Sequence, residues 1–519
     1  MRSIPASYLD ILEQRQEQYE ALLEQGKVYP LLLRLWFTFF CLIVIPLLVP
    51  YKSPAQSRLV RYSFHAAIVG LSVWTILNVR LTGTANGYGV GLVTFWFLVW
   101  SSTLLVFNDV QRDFKRIEQE SATENESVSV QDMNGDAKIS PRPRRSQRRV
   151  YHWQTFPKRF LHRLDWVSDL IFNFRGPNWN WRSRSLRPLP AAVLKDIGGT
   201  TLVGEPAIPD SWQRLKYACL SFLRAYIALD IIKVLMNRDV YFWGFVDPSP
   251  PPPFPFDVLD FSPVLVRCYR LLLAGIGILF SLDFITSTSP IFFLGMSLSF
   301  PCFARLISHQ PLDEAWMYPE IFGSPMAVLD DGLAGVWNVW WHQIFRVGFS
   351  SAGRFLCALI FQSKESSPHR YRLRESIIRT LVGFGLSGIM HALGSYTQLA
   401  DTKPLDAFIF FFLQAFGIFA QRFVTHFILL KLPYSHRIPR WMRRAANLLF
   451  VLVWFYHTGP LLVDDFARGG VWLFEPIPIS PLRGLGIGKT DEREGWICVR
   501  RIFRHWDGGN LWLRGTALA

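Results

Sequence analysis

Cysteine is scarce in this 519-residue chain, and what little there is never pairs in sequence. Cys41, Cys219, Cys268, Cys302, Cys357 and Cys498 are scattered, with no Cys-x-x-Cys spacing. Neither a disulfide framework nor a zinc site is therefore indicated. Five of the six lie within or beside apolar runs and are expected to be buried as small hydrophobes. His-Glu-x-x-His and Gly-x-Ser-x-Gly are both missing, which removes the zinc and serine hydrolases that those motifs mark. Gly484–Thr490 ends like a phosphate loop, but Arg483 stands where the leading glycine belongs and no strand-then-helix pattern surrounds it. No internal repeat or pair of matching halves is evident, which weighs against a transporter. A cleavable signal peptide is not expected either, since the first 28 residues are polar and the apolar run after them is long enough to span and stay.

Long apolar runs, by contrast, are plentiful. Half of the residues are hydrophobic, the mean hydropathy is +0.18, and there are 43 Phe and 20 Trp. Runs that could cross a bilayer are Tyr29–Tyr51, Ser63–Val79, Gly89–Phe107, Leu215–Met236, Val264–Ile285, Ile291–Ile307, Ile344–Phe361, Leu381–Leu399, Leu405–Leu430 and Ala445–Val463. A span needs roughly 17–25 apolar residues, so an all-α polytopic membrane bundle of about 8–10 spans is expected. The runs are too continuously apolar for barrel strands, which alternate. The net charge of +15 sits mostly between these runs, where it suits anionic leaflet lipids and not nucleic acid. Lys52, Arg58 and Arg61 after the first span, and the basic segment after the third, place those links in the cytoplasm and the N-terminus on the lumenal side.

Five regions follow: residues 1–107 carry N-terminal spans, 108–150 a polar linker, 151–212 a cytosolic or interfacial segment, 213–464 a membrane core, and 465–519 a tail. Within the linker, Glu118–Gln147 lacks aromatics and is expected to be disordered; it holds the sequon Asn125-Glu126-Ser127. Farther on, Arg175-Gly176-Pro177-Asn178-Trp179-Asn180-Trp181 interleaves Trp with Arg and Asn, as a segment lying in the headgroup layer would. Asp330-Asp331 reads as a solvated acidic turn.

Ionisable residues inside a membrane are costly, and His391 sits near the middle of an apolar run. Ser387, Gly388, Ala392 and Gly394 around it would let helices or a substrate approach closely. A neutral imidazole there suits a general base for a hydroxyl, while a buried histidine on a backbone carbonyl is the structural alternative. Upstream, Trp337-Asn338-Val339-Trp340-Trp341-His342-Gln343-Ile344-Phe345-Arg346 sets polar groups among large aromatics. On a helix Asn338 and His342 would share a face and either could donate to an oxyanion. An aromatic belt at a helix end is the alternative.

In this order, Trp337–Arg346 and Ser387–His391 resemble the membrane-bound O-acyltransferase superfamily, and within it the fungal wax-synthase-like branch of secondary-metabolite O-acetyltransferase type. Arg175-Gly176 with Trp179 and Trp181 is similar to that branch's Arg-Gly-x-x-Trp element. The likeness runs from about Leu164 to the C-terminus. It implies an MBOAT-like fold with His391 as general base and His342 as the second catalytic residue. Asn338, Gln343, Trp341 and Ser387 would contact substrate. It implies no metal or prosthetic group, acetyl-CoA or another acyl-CoA as co-substrate, and an apolar alcohol reaching the site from the bilayer. A terpenoid or meroterpenoid hydroxyl is the expected acceptor and the endoplasmic reticulum the expected membrane. Val339 and Trp340 replace two basic residues of the plant-type block, which argues against a long-chain wax-ester or sterol-ester synthase, the alternative within the family.

Overall fold

The computed structural model describes residues 4–82, 84–122, 148–199, 209–258, 261–361, 368–425, 438–499, 502–509 and 514–518. The sequon at Asn125 lies outside them. The chain folds into a helical bundle. Its N-terminal part comprises α1 (Tyr8–Glu24), α2 (Leu33–Leu48), α3 (Pro54–Asn78), α4 (Thr84–Ser102) and α5 (Val110–Asp113). Next come α6 (Phe160–Phe172), α7 (Ala191–Asp196), α8 (Ser211–Asn237), α9 (Pro263–Ser289), α10 (Gly295–Ser299) and α11 (Pro301–Ile307). The rest are α12 (Met326–Gly335), α13 (Arg346–Ile360), α14 (Pro368–Tyr396), α15 (Pro404–Phe423), α16 (Arg440–Gly469) and α17 (Pro481–Gly484).

Local sequence starts several of these helices. Ser53 accepts from Gln56 N ahead of Pro54 in α3, Asp210 accepts from Trp212 N in α8, and Ser262 precedes Pro263 in α9. Among the described residues six helices are long and apolar enough to cross a membrane: Pro54–Asn78, Gly87–Phe107, Pro263–Ser299, Arg372–Tyr396, Pro404–Phe423 and Arg440–Gly469. Leu59, Leu77, Leu220, Leu272 and Leu449 on the long helices are all more than half exposed, an apolar surface that suits lipid and not water. Cys219, Cys268 and Cys302 are exposed too, so burial was wrong for these three and right for Cys357. α2, of 16 residues, is apolar but shorter. α8 is long and carries charges with partners: Asp283 accepts from Arg224 at 2.8 Å, and Lys233 donates to Trp472 O at 2.6 Å.

Two expected spans take other forms. Ile291–Ile307 continues α9 through a π-turn at Pro290–Leu294, breaks at Phe300 and restarts as α11 behind Pro301. Ile344–Phe361 becomes α13, the second arm of a hairpin with α12. Both arms meet the bundle at one end, since Asp330 of α12 pairs with Arg444 at 2.8 Å and Phe355 of α13 stacks on Phe107 at the end of α4.

Strands are few and peripheral. β1 (Tyr29–Pro30) pairs with β2 (Val79–Arg80), β3 (Arg116–Ala122) with β4 (Arg148–Gln154), and β5 (Phe503–Trp506) with β6 (Gly515–Leu518). Glu118–Ala122, expected to be disordered, thus belong to β3. The Trp-rich segment is a packed core and not a headgroup layer. Trp166 and Trp179 are fully buried, and Trp179 Nε1 donates to Asp169 at 2.9 Å. Buried Arg116 pairs with Asp165 at 2.6 Å and Glu118 at 3.1 Å, so Glu118 of the expected linker helps close this core instead. α1 is clasped to the tail, with Arg15 donating to Gly469 O and Arg493 pairing with Asp10 and Glu13. α1 and the described part of the tail therefore lie at the bundle end opposite the anchored end of the α12–α13 hairpin.

Candidate active site

His391 lies on α14 at the crossing with α4. Close approach there is set by glycine. A Cβ on Gly91 would sit 2.0 Å from Leu393 O, and one on Gly394 would sit 2.9 Å from the Tyr88 ring. Thr397 Oγ1 bridges the crossing, donating to Gly87 O at 2.8 Å and accepting from Gly91 N at 2.9 Å. This places the Tyr88 hydroxyl 2.5 Å from His391 Nδ1. On the other side, Gly388 lets α15 pack close against α14, and Phe411 lies face-on to the imidazole at 4.2 Å with 14° between planes. His391 is half-buried, and its Nε2 has no hydrogen-bond partner among the described residues.

His342 reaches the same region from the tip of the α12–α13 hairpin. The segment Val336–Trp340 is one π-turn, after which Trp341 turns extended. Asn338 and His342 therefore do not share a helical face as expected: the helix has ended before His342. Asn338 is exposed, and its carbonyl accepts from Arg346 at 2.9 Å. His342 packs between the rings of Trp341 at 5.4 Å and Phe345 at 5.6 Å, and its buried Nδ1 has no partner. It is close enough to His391 for a charge on one imidazole to act on the other. Ser387, one turn before His391 on α14, is half-buried on the same side.

Gln343 has a different place from the one expected. It is buried, and its amide nitrogen donates to Trp337 O at 2.8 Å and Trp341 O at 2.7 Å, while Arg346 donates to its oxygen at 3.0 Å. Its groups brace the turn that carries His342 instead of facing a substrate. Glycines again allow close approach on the α12 side of this turn, where the chain folds back at Gly332: a Cβ on Gly335 would meet Ala327 O at 1.9 Å and one on Gly323 would meet Val339 O at 2.1 Å.

The side chains packed around the two histidines are largely aromatic. Trp337 lies against Phe384, Phe410, Phe411 and Phe455, and Trp341 against Phe322. Buried Gln414 accepts from both Trp337 Nε1 at 3.3 Å and Trp454 Nε1 at 3.1 Å, which orients that wall. Tyr88, Phe411 and Gln414 escaped the reading of the sequence. The alternation Gly87-Tyr88-Gly89-Val90-Gly91 was the available signal, since glycines spaced along an apolar helix mark a close crossing. Among the described residues no group of three or more metal-ligating side chains occurs.

The helical bundle thus brings two histidines into one region, and comparison with known proteins shows what such a bundle is similar to. Residues 318–413, which include both histidine segments, match the family described as Membrane bound O-acyl transferase family. The resemblance drawn from the two motifs is borne out over this stretch, which is similar to the membrane-bound O-acyltransferases. It is also similar to "Acetyltransferase ple2" of Rhodocybe pseudopiperita, with 24% identity over 309 residues covering 58% of this chain and 66% of that protein. The chain thus matches just under two thirds of the length of this curated relative. No solved structure matches it.

Proposed function

We propose that this protein transfers an acyl group, most simply acetyl, from acyl-CoA to the hydroxyl of an apolar alcohol. The observation that carries this reading is the seating of His391, with Nδ1 held by Tyr88, the ring stacked on Phe411, and Nε2 without a partner among the described residues. With the proton on Nδ1, donated to the Tyr88 oxygen, Nε2 is the basic nitrogen. It takes the alcohol proton as the oxygen attacks the thioester carbonyl. The tetrahedral intermediate collapses by breaking the C–S bond, and the imidazolium returns the proton to the departing sulfur. The products are an ester and free CoA. His342, through its unpartnered side chain, donates to the carbonyl oxygen as negative charge develops on it. No bound metal or prosthetic group enters this scheme.

The acetyl donor is supported by the name of the relative, and the apolar acceptor by the aromatic lining. A terpenoid or meroterpenoid hydroxyl of a secondary-metabolite pathway suits that lining, and the endoplasmic reticulum fits a multi-pass protein meeting such a substrate in the bilayer. Microsomes containing the protein, given radiolabelled acetyl-CoA or a long-chain acyl-CoA with a panel of hydroxylated terpenoids, test it. Label from acetyl-CoA in an organic-soluble ester is expected. Ester only from the long-chain donor would shift the reading to a wax-ester or sterol-ester synthase. No ester from either donor would favour a binding or transport role.

A further inference from the structure

A row of guanidinium groups leads away from His342. Arg346 begins α13 four residues after His342, and among the described residues its guanidinium bonds only Asn338 O and the Gln343 side chain. Arg354 follows two turns on, about 12 Å along the axis at 1.5 Å per residue, and donates to Ser351. Arg379 of α14 crosses α13 at Gly353, where its Cγ lies 3.1 Å from the position a Cβ would take. Arg184, exposed and without an ion pair among the described residues, is close enough for its charge to act on both Arg346 and Arg354. Phe174 joins the Arg184 segment to this helix, since Phe174, Phe345 and Phe349 all pack on Trp96.

Four cations in one region repel each other unless anions intervene. Among the described residues the only ion pair any of them makes is Arg379 with Glu375 at 3.2 Å. Among the described residues the row therefore keeps an excess of positive charge, and it runs from the proposed reacting carbonyl to the bundle end at which the α12–α13 hairpin is anchored. A thioester donor of the CoA class has its reactive end uncharged and its far end loaded with a 3′-phosphate and a diphosphate. Charge and direction both match.

We propose that Arg184, Arg346, Arg354 and Arg379 form the binding site for the phosphates of the CoA donor, which fixes the direction in which the thioester enters. This rests on the acyl-transfer reading above. Arg346 is the inner member, nearest the pantetheine arm. Arg184 and Arg354 are the outer members, and their exposed side chains leave the packing intact when exchanged. Planar guanidinium groups suit phosphate through paired hydrogen bonds.

The test uses full-length protein in microsomes and, purified in detergent, a binding assay with adenosine 3′,5′-bisphosphate. In the Arg184→Gln/Arg354→Gln double variant, kcat/KM for acetyl-CoA relative to S-acetylpantetheine, which lacks the phosphates, is expected to fall by about tenfold or more. Bisphosphate binding should weaken with it, and the corresponding double Lys variant should recover most of both. An unchanged donor ratio with unchanged bisphosphate binding overturns the site. So does an unchanged ratio accompanied by lost dependence on anionic phospholipid, which would assign the row to lipid headgroups. Arginine-dependent bisphosphate binding in a protein that transfers no acyl group would keep the site and sink the acyl-transfer reading instead.

Discussion

The Tyr88 hydroxyl and His391 Nδ1 meet at 2.5 Å, although 303 residues separate them in the chain. The pairing follows from a helix crossing made tight by Gly91 and Gly394. It gives the imidazole a fixed orientation in the same way that a second hydrogen-bonded group orients the histidine of a hydrolytic triad.

Removing that oxygen should affect catalysis and not substrate binding. A neutral hydrogen bond of this kind is worth about 0.5–1.5 kcal/mol, or up to roughly tenfold in rate. Tyr88→Phe is expected to lower kcat by about that factor with KM for both substrates held. Steady-state kinetics on microsomes checks it, and a rise in KM at constant kcat would assign Tyr88 to substrate binding.

The crossing itself can be probed through its glycines. Gly91→Ala puts a methyl 2.0 Å from a backbone oxygen that cannot yield, so the helices must separate at a cost of about 1–3 kcal/mol or more. Gly383→Ala on α14 meets nothing within 4 Å and should be neutral or stabilising by up to about 1 kcal/mol. Thermal unfolding in detergent should separate the two, with activity lost only in the first.

Gln343 and Asn338 should respond oppositely to alanine. Gln343→Ala leaves two backbone carbonyls of the His342 turn without their donor, at about 1–3 kcal/mol. A drop in kcat with lowered Tm is expected. Asn338→Ala removes an exposed side chain and should change neither by more than about 0.5 kcal/mol or its rate equivalent. Equal losses would show that Asn338 reaches the substrate.

Acid should loosen the tail before the bundle. Hydrogen bonds from the Arg493 side chain and backbone hold the Asp491 carboxyl well below the usual carboxylate range. A depressed value means that its contribution is present above the unfolded pKa, about 3.9, and is lost as pH falls further below it. Limited proteolysis should therefore find the tail protected at neutral pH and increasingly cut near pH 3. Arg493→Gln should expose it already at neutral pH, because Asp10 and Glu13 of α1 lose the same partner.

Much of the bundle was legible because lipid-facing helices must be apolar along their whole length, and that shows as continuous runs. The error at Ile344–Phe361 has the same origin. A hairpin arm inside a bundle is as apolar as a span, and only Arg346 and Arg354 within it hinted otherwise. His391 and His342 stood out as polar groups in apolar surroundings, a local property. Tyr88 did not, since its meaning comes from a crossing between distant helices. Gln343 was misread because a polar residue beside a histidine suggests substrate, whereas a tight turn needs a donor for its own carbonyls. Trp166 and Trp179 were misassigned to an interface because their composition cannot reveal that Asp169 and Arg116 close a core around them.

The central claim is that His391 Nε2 is the base, and it is tested most directly by acetyl-CoA-dependent ester formation in microsomes carrying the wild type or His391→Ala at equal protein level. General base catalysis contributes about 10²–10⁴-fold, so the variant should lose at least two orders of magnitude in rate while still binding the acceptor. Ester formation at the wild-type rate in His391→Ala would contradict the mechanism outright.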